Sequence, residues 1–249
     1  MTSLSSSSPA RAQARERLPL VLRRLNRSYG RPAHARRGDP LDSLIGTVLS
    51  QNTTDANSHR AFAELKARFP SWRQVLAARP QQIAAAIRSG GLGDIKARRI
   101  KRILGEIEED RGRLDLSFLR RRTAGRAREY LTGLPGVGPK TAACVVLFSL
   151  EKAAFPVDTH VLRVSKRLGI LDPKATMERA HEVYEALLDS SGPAASRKWD
   201  RRAMLELHLG LVRHGREVCH ARRPECERCA LTELCPRVGV PEVAARRRR

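Results

Sequence analysis

Apolar residues recur along most of this chain at intervals of three and four, the spacing that gathers them on one face of an α-helix. Leu18, Val21, Leu22 and Leu25 form the first such stripe, with Arg23, Arg24 and Arg27 on the other face. After a stretch rich in Gly, Pro and Arg (residues 30–40), Leu41, Leu44, Ile45, Val48 and Leu49 make the second. A polar interval, 50–55, leads into a helix whose apolar side carries Ala61, Phe62 and Leu65. That helix is expected to stop before Phe69, because a residue preceding proline is pushed out of the helical region. Short helices follow near 72–77 and from about 80 to 88. The next runs from about Ile95 to Glu108, with Ile95, Ile100, Ile103, Leu104 and Ile107 toward the core. No segment sustains period-2 alternation and no unit repeats at a fixed spacing. The pattern predicts an all-α protein.

A length of 249 residues is enough for one large domain or two modest ones. Aromatics are only 4%, so the core must rest on Leu, Val, Ile and Ala, which again favours helices. Charge changes the picture more. Lys and Arg total 48 against 26 Asp and Glu, a formal +22. A surplus of that size repels itself in a compact state and is usually matched by a polyanion, nucleic acid first among them. No stretch approaches the roughly 20 apolar residues of a membrane-spanning helix, so no membrane partner is expected. Residues 1–17, Ser-rich and then basic, lack the apolar core of a secretion signal and read as a flexible tail, as does the basic run 241–249. These features suit the cytoplasm (nucleoid) of a bacterium, or the nucleus or mitochondrion of a eukaryote.

The most specific string is Leu131 to Ala143, LTGLPGVGPKTAA. A helix ending near Leu131 meets a tight turn, Leu134-Pro135-Gly136-Val137-Gly138, and a second helix opens at Pro139, a position where the missing N–H of proline costs nothing. The glycines admit backbone angles closed to other residues and keep side chains away from a phosphate. The amides at the start of the second helix, running to Thr141, form a small anion site. This is a helix–hairpin–helix, suited to gripping a DNA backbone without reading its sequence. Lys140 follows at once. It reads equally well as a phosphate contact or as a nucleophile. Only eight of the 48 basic residues are lysine, and a nucleophile that must lose a proton cannot be arginine. Asp158, just before a helix beginning at Thr159, suits an N-cap.

Five cysteines, four of them clustered, point to a metal site in a reducing compartment rather than to a disulfide framework. Cys219, Cys226, Cys229 and Cys235 have the spacing C-x6-C-x2-C-x5-C. Four thiolates so placed could hold zinc or an iron–sulfur cluster, although only one of the three gaps fits a zinc knuckle. Cys144, among Ala142, Ala143, Val145 and Val146, reads as a core residue.

A hairpin ending in Gly138-Pro139-Lys140-Thr141-Ala142, followed by Val157-Asp158-Thr159-His160, resembles the endonuclease III branch of the helix–hairpin–helix DNA glycosylase superfamily. Leu49 to Asp55 (LSQNTTD), the segment Gly91-Leu92-Gly93 to Ala97, and the cysteine spacing extend the likeness from about Leu41 to Cys235. The resemblance implies two helical domains with the active site in the cleft between them. One is a six-helix bundle, residues 34–152, carrying the hairpin at 131–143. The other joins 18–33 to 153–240 and holds a [4Fe–4S] cluster on the four cysteines. It implies an enzyme, a bifunctional DNA glycosylase and abasic-site lyase, monomeric, acting on oxidised pyrimidines in duplex DNA. Lys140 would be the nucleophile and Asp158 its anionic assistant. Gln51 and Leu92 would fill the gap left by a flipped nucleotide. Leu134, Gly136, Val137, Gly138 and Thr141 would line the backbone grip, with Arg222 and Arg223 meeting further phosphates; Asp55 and His160 match positions near the cleft. Two positions depart from the pattern. Pro139 stands where Arg or Lys is common, and Gly93 where an aromatic often stands, leaving that loop more flexible. The rival readings are a monofunctional glycosylase and a non-catalytic DNA-binding iron–sulfur protein.

Overall fold

The computed structural model describes residues 9–33, 38–189 and 199–240. Among the described residues all regular structure is helical, with eleven α-helices, short 3-10 turns and no strand. The first helix, α1 (Pro9–Tyr29), starts earlier than expected. Residues 9–17 are therefore helix rather than flexible tail. The cause is local and tertiary together. Ala12 and Ala14 are good helix formers, Ala14 and Leu18 are buried, and Arg15 Nη2 donates to the Ala186 carbonyl at 2.8 Å. Residues 1–8 and 241–249, both expected to be tails, lie outside the described residues.

The contacts divide the chain into two compact units, Ala35–Lys152 and Met1–His34 with Ala153–Arg249. The contiguous unit contains α2 (Pro40–Leu49), α3 (Asp55–Arg68), α4 (Trp72–Ala77), α5 (Pro80–Ala86), α6 (Gly93–Arg111), α7 (Ala124–Gly133) and α8 (Pro139–Cys144). Here α2 packs against α3, α6 and α8, and α5 lies along α6. Leu44, Ile45, Val48, Ile100, Ile103 and Val146 are fully buried between them. The helix of α8 continues into one π-turn, Val145–Ser149, closed by Leu150 N–H to the Val145 carbonyl at 3.0 Å.

The unit built from both chain ends contains α1, α9 (Thr159–Arg167), α10 (Met177–Leu188) and α11 (Arg201–Glu217). α11 is its spine, packed against α1 and α9. A Cβ on Gly215 would stand 2.8 Å from the Cβ of His160, so glycine is what lets α9 approach α11 there. Helix starts are fixed by short polar caps: Asp39, Thr54, Ser71, Thr123, Thr176 and Asp200 each accept a main-chain N–H. Each cap stabilises its helix by about 1 kcal/mol.

Candidate functional site

In the contiguous unit the hairpin forms at the place its sequence indicates. α7 ends at Gly133 and α8 begins at Pro139. Between them Val137 N–H closes onto the Leu134 carbonyl at 3.1 Å. Gly136 has φ +72°, and with Pro135 before it the turn is type II, whose third residue needs a positive φ. Leu134 and Val137 are buried, so their side chains anchor the turn and only their main chain is available to a ligand. Gly136 and Gly138 are exposed. The amides of Lys140 and Thr141 open α8, where no acceptor exists within the helix. Lys140 is partly exposed on this first turn. Thr141 is buried, and its Oγ1 takes a 3.4 Å hydrogen bond from Gln51 Nε2.

Two further loops meet α6. Gln51 follows α2, next to Asn52 at φ 53°. Leu92, itself at φ 53° and 49% exposed, caps the start of α6. A left-handed leucine costs about 1–2 kcal/mol, a cost that places an apolar side chain in solvent. Ile95 was expected in the core but is 50% exposed. The buried stripe of α6 runs Lys96, Ala97, Ile100, Ile103, Leu104 and Ile107, which puts Ile95 one residue out of phase. The neighbouring inward place is held by a lysine. Lys96 is 2% exposed, and its Nζ donates to the carbonyls of Leu49 and Gly90, each at 2.8 Å. Burial lowers the pKa of its ammonium. Both acceptors sit two residues before a loop residue of interest, Gln51 or Leu92. Lys96 thus ties the two loops to one helix. Arg99, one turn on, donates from Nη1 to Gln51 Oε1 at 2.6 Å. Gly93 is the first residue of α6, not part of a loose loop, and a Cβ there would stand 3.1 Å from the Ala84 carbonyl oxygen. Sequence reasoning missed Lys96 and Arg99 as site residues; a lysine four residues from Ile100, on an apolar stripe, was the available signal for the first.

In the other unit Asp158 is the N-cap of α9 and accepts Val161 N–H at 2.7 Å. It is partly exposed. His160 Nδ1 lies 3.1 Å from Arg163 Nη2, whose guanidinium also donates to the carbonyls of Cys219 and Gly215.

Cys219, Cys226, Cys229 and Cys235 line one small cavity together with Arg167 and His214. None is in a disulfide. Among the described residues no group of three or more His, Cys, Asp or Glu is arranged to hold a metal ion. The four thiols surround a shared space, not one point. Donors already face the sulfurs: Arg167 Nη1 is 3.2 Å from Cys219 Sγ, and Leu231 N–H is 3.4 Å from Cys229 Sγ. His214 Nε2 lies 3.5 Å from Cys229 Sγ, while Tyr29 Oη meets the other ring nitrogen at 2.8 Å. Burial, and the other cysteines after it, push the Cys229 and Cys235 thiols up. Four soft sulfurs with N–H donors are a ligand set that suits either an iron–sulfur cluster or a zinc ion. Arg222 and Arg223 are exposed on the loop between the first two cysteines. Cys144 is buried in the contiguous unit, as expected.

Residues 45–189 match the model of the HhH-GPD superfamily base excision DNA repair protein. A candidate DNA glycosylase of Arabidopsis thaliana is 41% identical over 202 residues, 80% of this chain and 65% of that protein, so the chain spans just under two thirds of this relative. Endonuclease III of Thermotoga maritima is 34% identical over 226 residues, 88% of this chain and 94% of that one. Among solved structures, a trapped endonuclease III–DNA covalent intermediate superposes with a TM-score of 0.72 at 27% identity, covering 90% of this chain and 96% of that chain.

Proposed function

Because the chain belongs to the HhH-GPD superfamily of base excision DNA repair proteins, in its endonuclease III branch, we propose that it removes oxidised pyrimidines from duplex DNA and cleaves the abasic site by β-elimination. The observation that carries this reading is a lysine on the first turn of the helix after the type II turn. A base inside the stack is out of reach, so the damaged nucleotide is first rotated out of the duplex. Leu92, exposed and apolar, suits the wedge that holds the duplex open, and Gln51 suits the amide that meets the orphaned base. Glycines and α8 amides hold the backbone phosphates.

Lys140, as a neutral amine, then attacks C1′. A C–N bond forms to Nζ, the glycosidic bond breaks, and the base leaves with its electron pair and a proton. The C1′–O4′ bond then breaks, O4′ takes a proton as the sugar ring opens, and the resulting imine acidifies the C2′ hydrogen. Its removal expels the 3′ phosphate and cuts the strand. Asp158 stabilises the positive charge that develops on the sugar, an effect worth two to four orders of magnitude when such a group is well placed. Capping α9 and stabilising this charge are compatible, because a carboxylate has lone pairs to spare. Cys219, Cys226, Cys229 and Cys235 hold a [4Fe–4S] cluster that shapes the loop presenting Arg222 and Arg223 to phosphates.

The test is borohydride trapping on a duplex carrying one thymine glycol or one abasic site. A covalent adduct with the natural protein and none with Lys140→Gln is expected. No adduct despite tight binding, with base release revealed only by alkaline cleavage, would make the enzyme monofunctional.

A further inference from the structure

Three segments far apart in sequence meet on Arg99. Its Nη1 donates to Gln51 Oε1 at 2.6 Å. Gln51 Nε2 donates in turn to Thr141 Oγ1 on α8 at 3.4 Å. The guanidinium lies against the hairpin itself, where a Cβ on Gly136 would stand 2.6 Å from Nε. Gly136 therefore serves two needs at once, the positive φ of the turn and the room for Arg99.

We propose that Arg99 is a positioning residue for Gln51, docking its side chain on the hairpin before DNA arrives. An arginine only donates, so the carboxamide atom facing it is the oxygen. This decides which way the amide points, a choice otherwise open for a glutamine on a loop. With Oε1 held by Arg99, Nε2 is the end that reaches Thr141 on α8, so both ends of the carboxamide are placed. Lys96 fixes the same loop through its main chain, at the Leu49 carbonyl, while Arg99 fixes it through the side chain. A long polar side chain loses rotamer freedom whenever it is ordered. Arg99 imposes that loss in the free protein, so it no longer opposes entry into the duplex. The functional part of this inference rests on Gln51 being the residue that fills the gap.

Two measurements test it. In the free protein the side-chain amide resonances of Gln51, identified by their loss in Gln51→Ala, should be dispersed and protected from exchange. In Arg99→Met they should move to the position of a mobile glutamine, and in Arg99→Lys only part of the way. Unchanged resonances in Arg99→Met would overturn the proposal. The second measurement is binding to duplexes with and without a tetrahydrofuran abasic-site analogue opposite 2-aminopurine. Arg99→Met should weaken binding to the analogue about tenfold, the scale of one lost charged hydrogen bond. It should also reduce the 2-aminopurine signal and leave affinity for undamaged duplex within about twofold. An equal loss on both duplexes would make Arg99 a plain phosphate contact and also overturn the proposal. If Gln51→Ala itself leaves analogue binding unchanged, the gap-filling reading fails, and the amide resonances still decide the role of Arg99.

Discussion

Lys96 is a buried cation whose recorded acceptors are two main-chain carbonyls. Lys96→Met should leave both carbonyls without a donor and destabilise the protein by about 2 kcal/mol, read as a lower urea midpoint at unchanged slope. The pH dependence of the same pair has a definite sign. Burial lowers the folded-state pKa of Lys96 below its ordinary 10.5. Between those two values the unfolded chain binds the proton and the folded one does not. The stability of the natural protein should therefore rise relative to Lys96→Met as pH climbs through that interval, and the difference should be flat below it. A difference that shrinks with rising pH would contradict this assignment. Neither Lys96 nor Arg99 stood out in the sequence, because each ties α6 to a residue far back in the chain, Leu49 or Gln51. Periodicity placed Ile95 inward for the same reason. It registers apolar residues and misses a lysine whose stem fills the core while its ammonium finds carbonyls.

Among the helices, α9 and the hairpin separate structure from chemistry most cleanly. Asp158→Asn keeps an N-cap of similar strength, since Asn and Asp cap almost equally well. Its melting temperature should hardly move, while base release should fall by about a hundredfold or more as the charge is lost. Asp158→Ala should show the same fall together with about 1 kcal/mol of lost stability. Equal activity losses tracking stability would reduce Asp158 to a cap. At the hairpin, Gly136→Ala should cost about 1–2 kcal/mol from its positive φ and displace Arg99 as well. This turn was legible in the sequence because Gly and Pro restrict the backbone wherever they occur. The start of α1 was not, because Arg15 is held by the Ala186 carbonyl, far along the chain, and Ala14 is buried. The serine-rich, basic composition of 1–17 gave no sign of that.

For the whole molecule, the formal charge of +22 makes salt the first variable. If about five phosphates are neutralised, raising salt from about 50 to about 200 mM should weaken binding to undamaged duplex about 500-fold. A shallow slope would mean that most of this charge does not face DNA. If the four cysteines hold the proposed cluster, removing it should strip hydrogen-exchange protection from residues 219–235 and leave 40–150 protected, because the cysteines all belong to the unit made from both chain ends. That unit also has a consequence for synthesis. α1 leaves the ribosome well before α11, the helix it packs against, which begins only at Arg201. At about 5–20 residues per second the wait is about 10–35 s. Meanwhile the contiguous unit is complete and free to close. The face carrying Leu18, Val21, Leu22 and Leu25 lacks this partner for that time, so a helix made early is placed late and needs shielding in the cell.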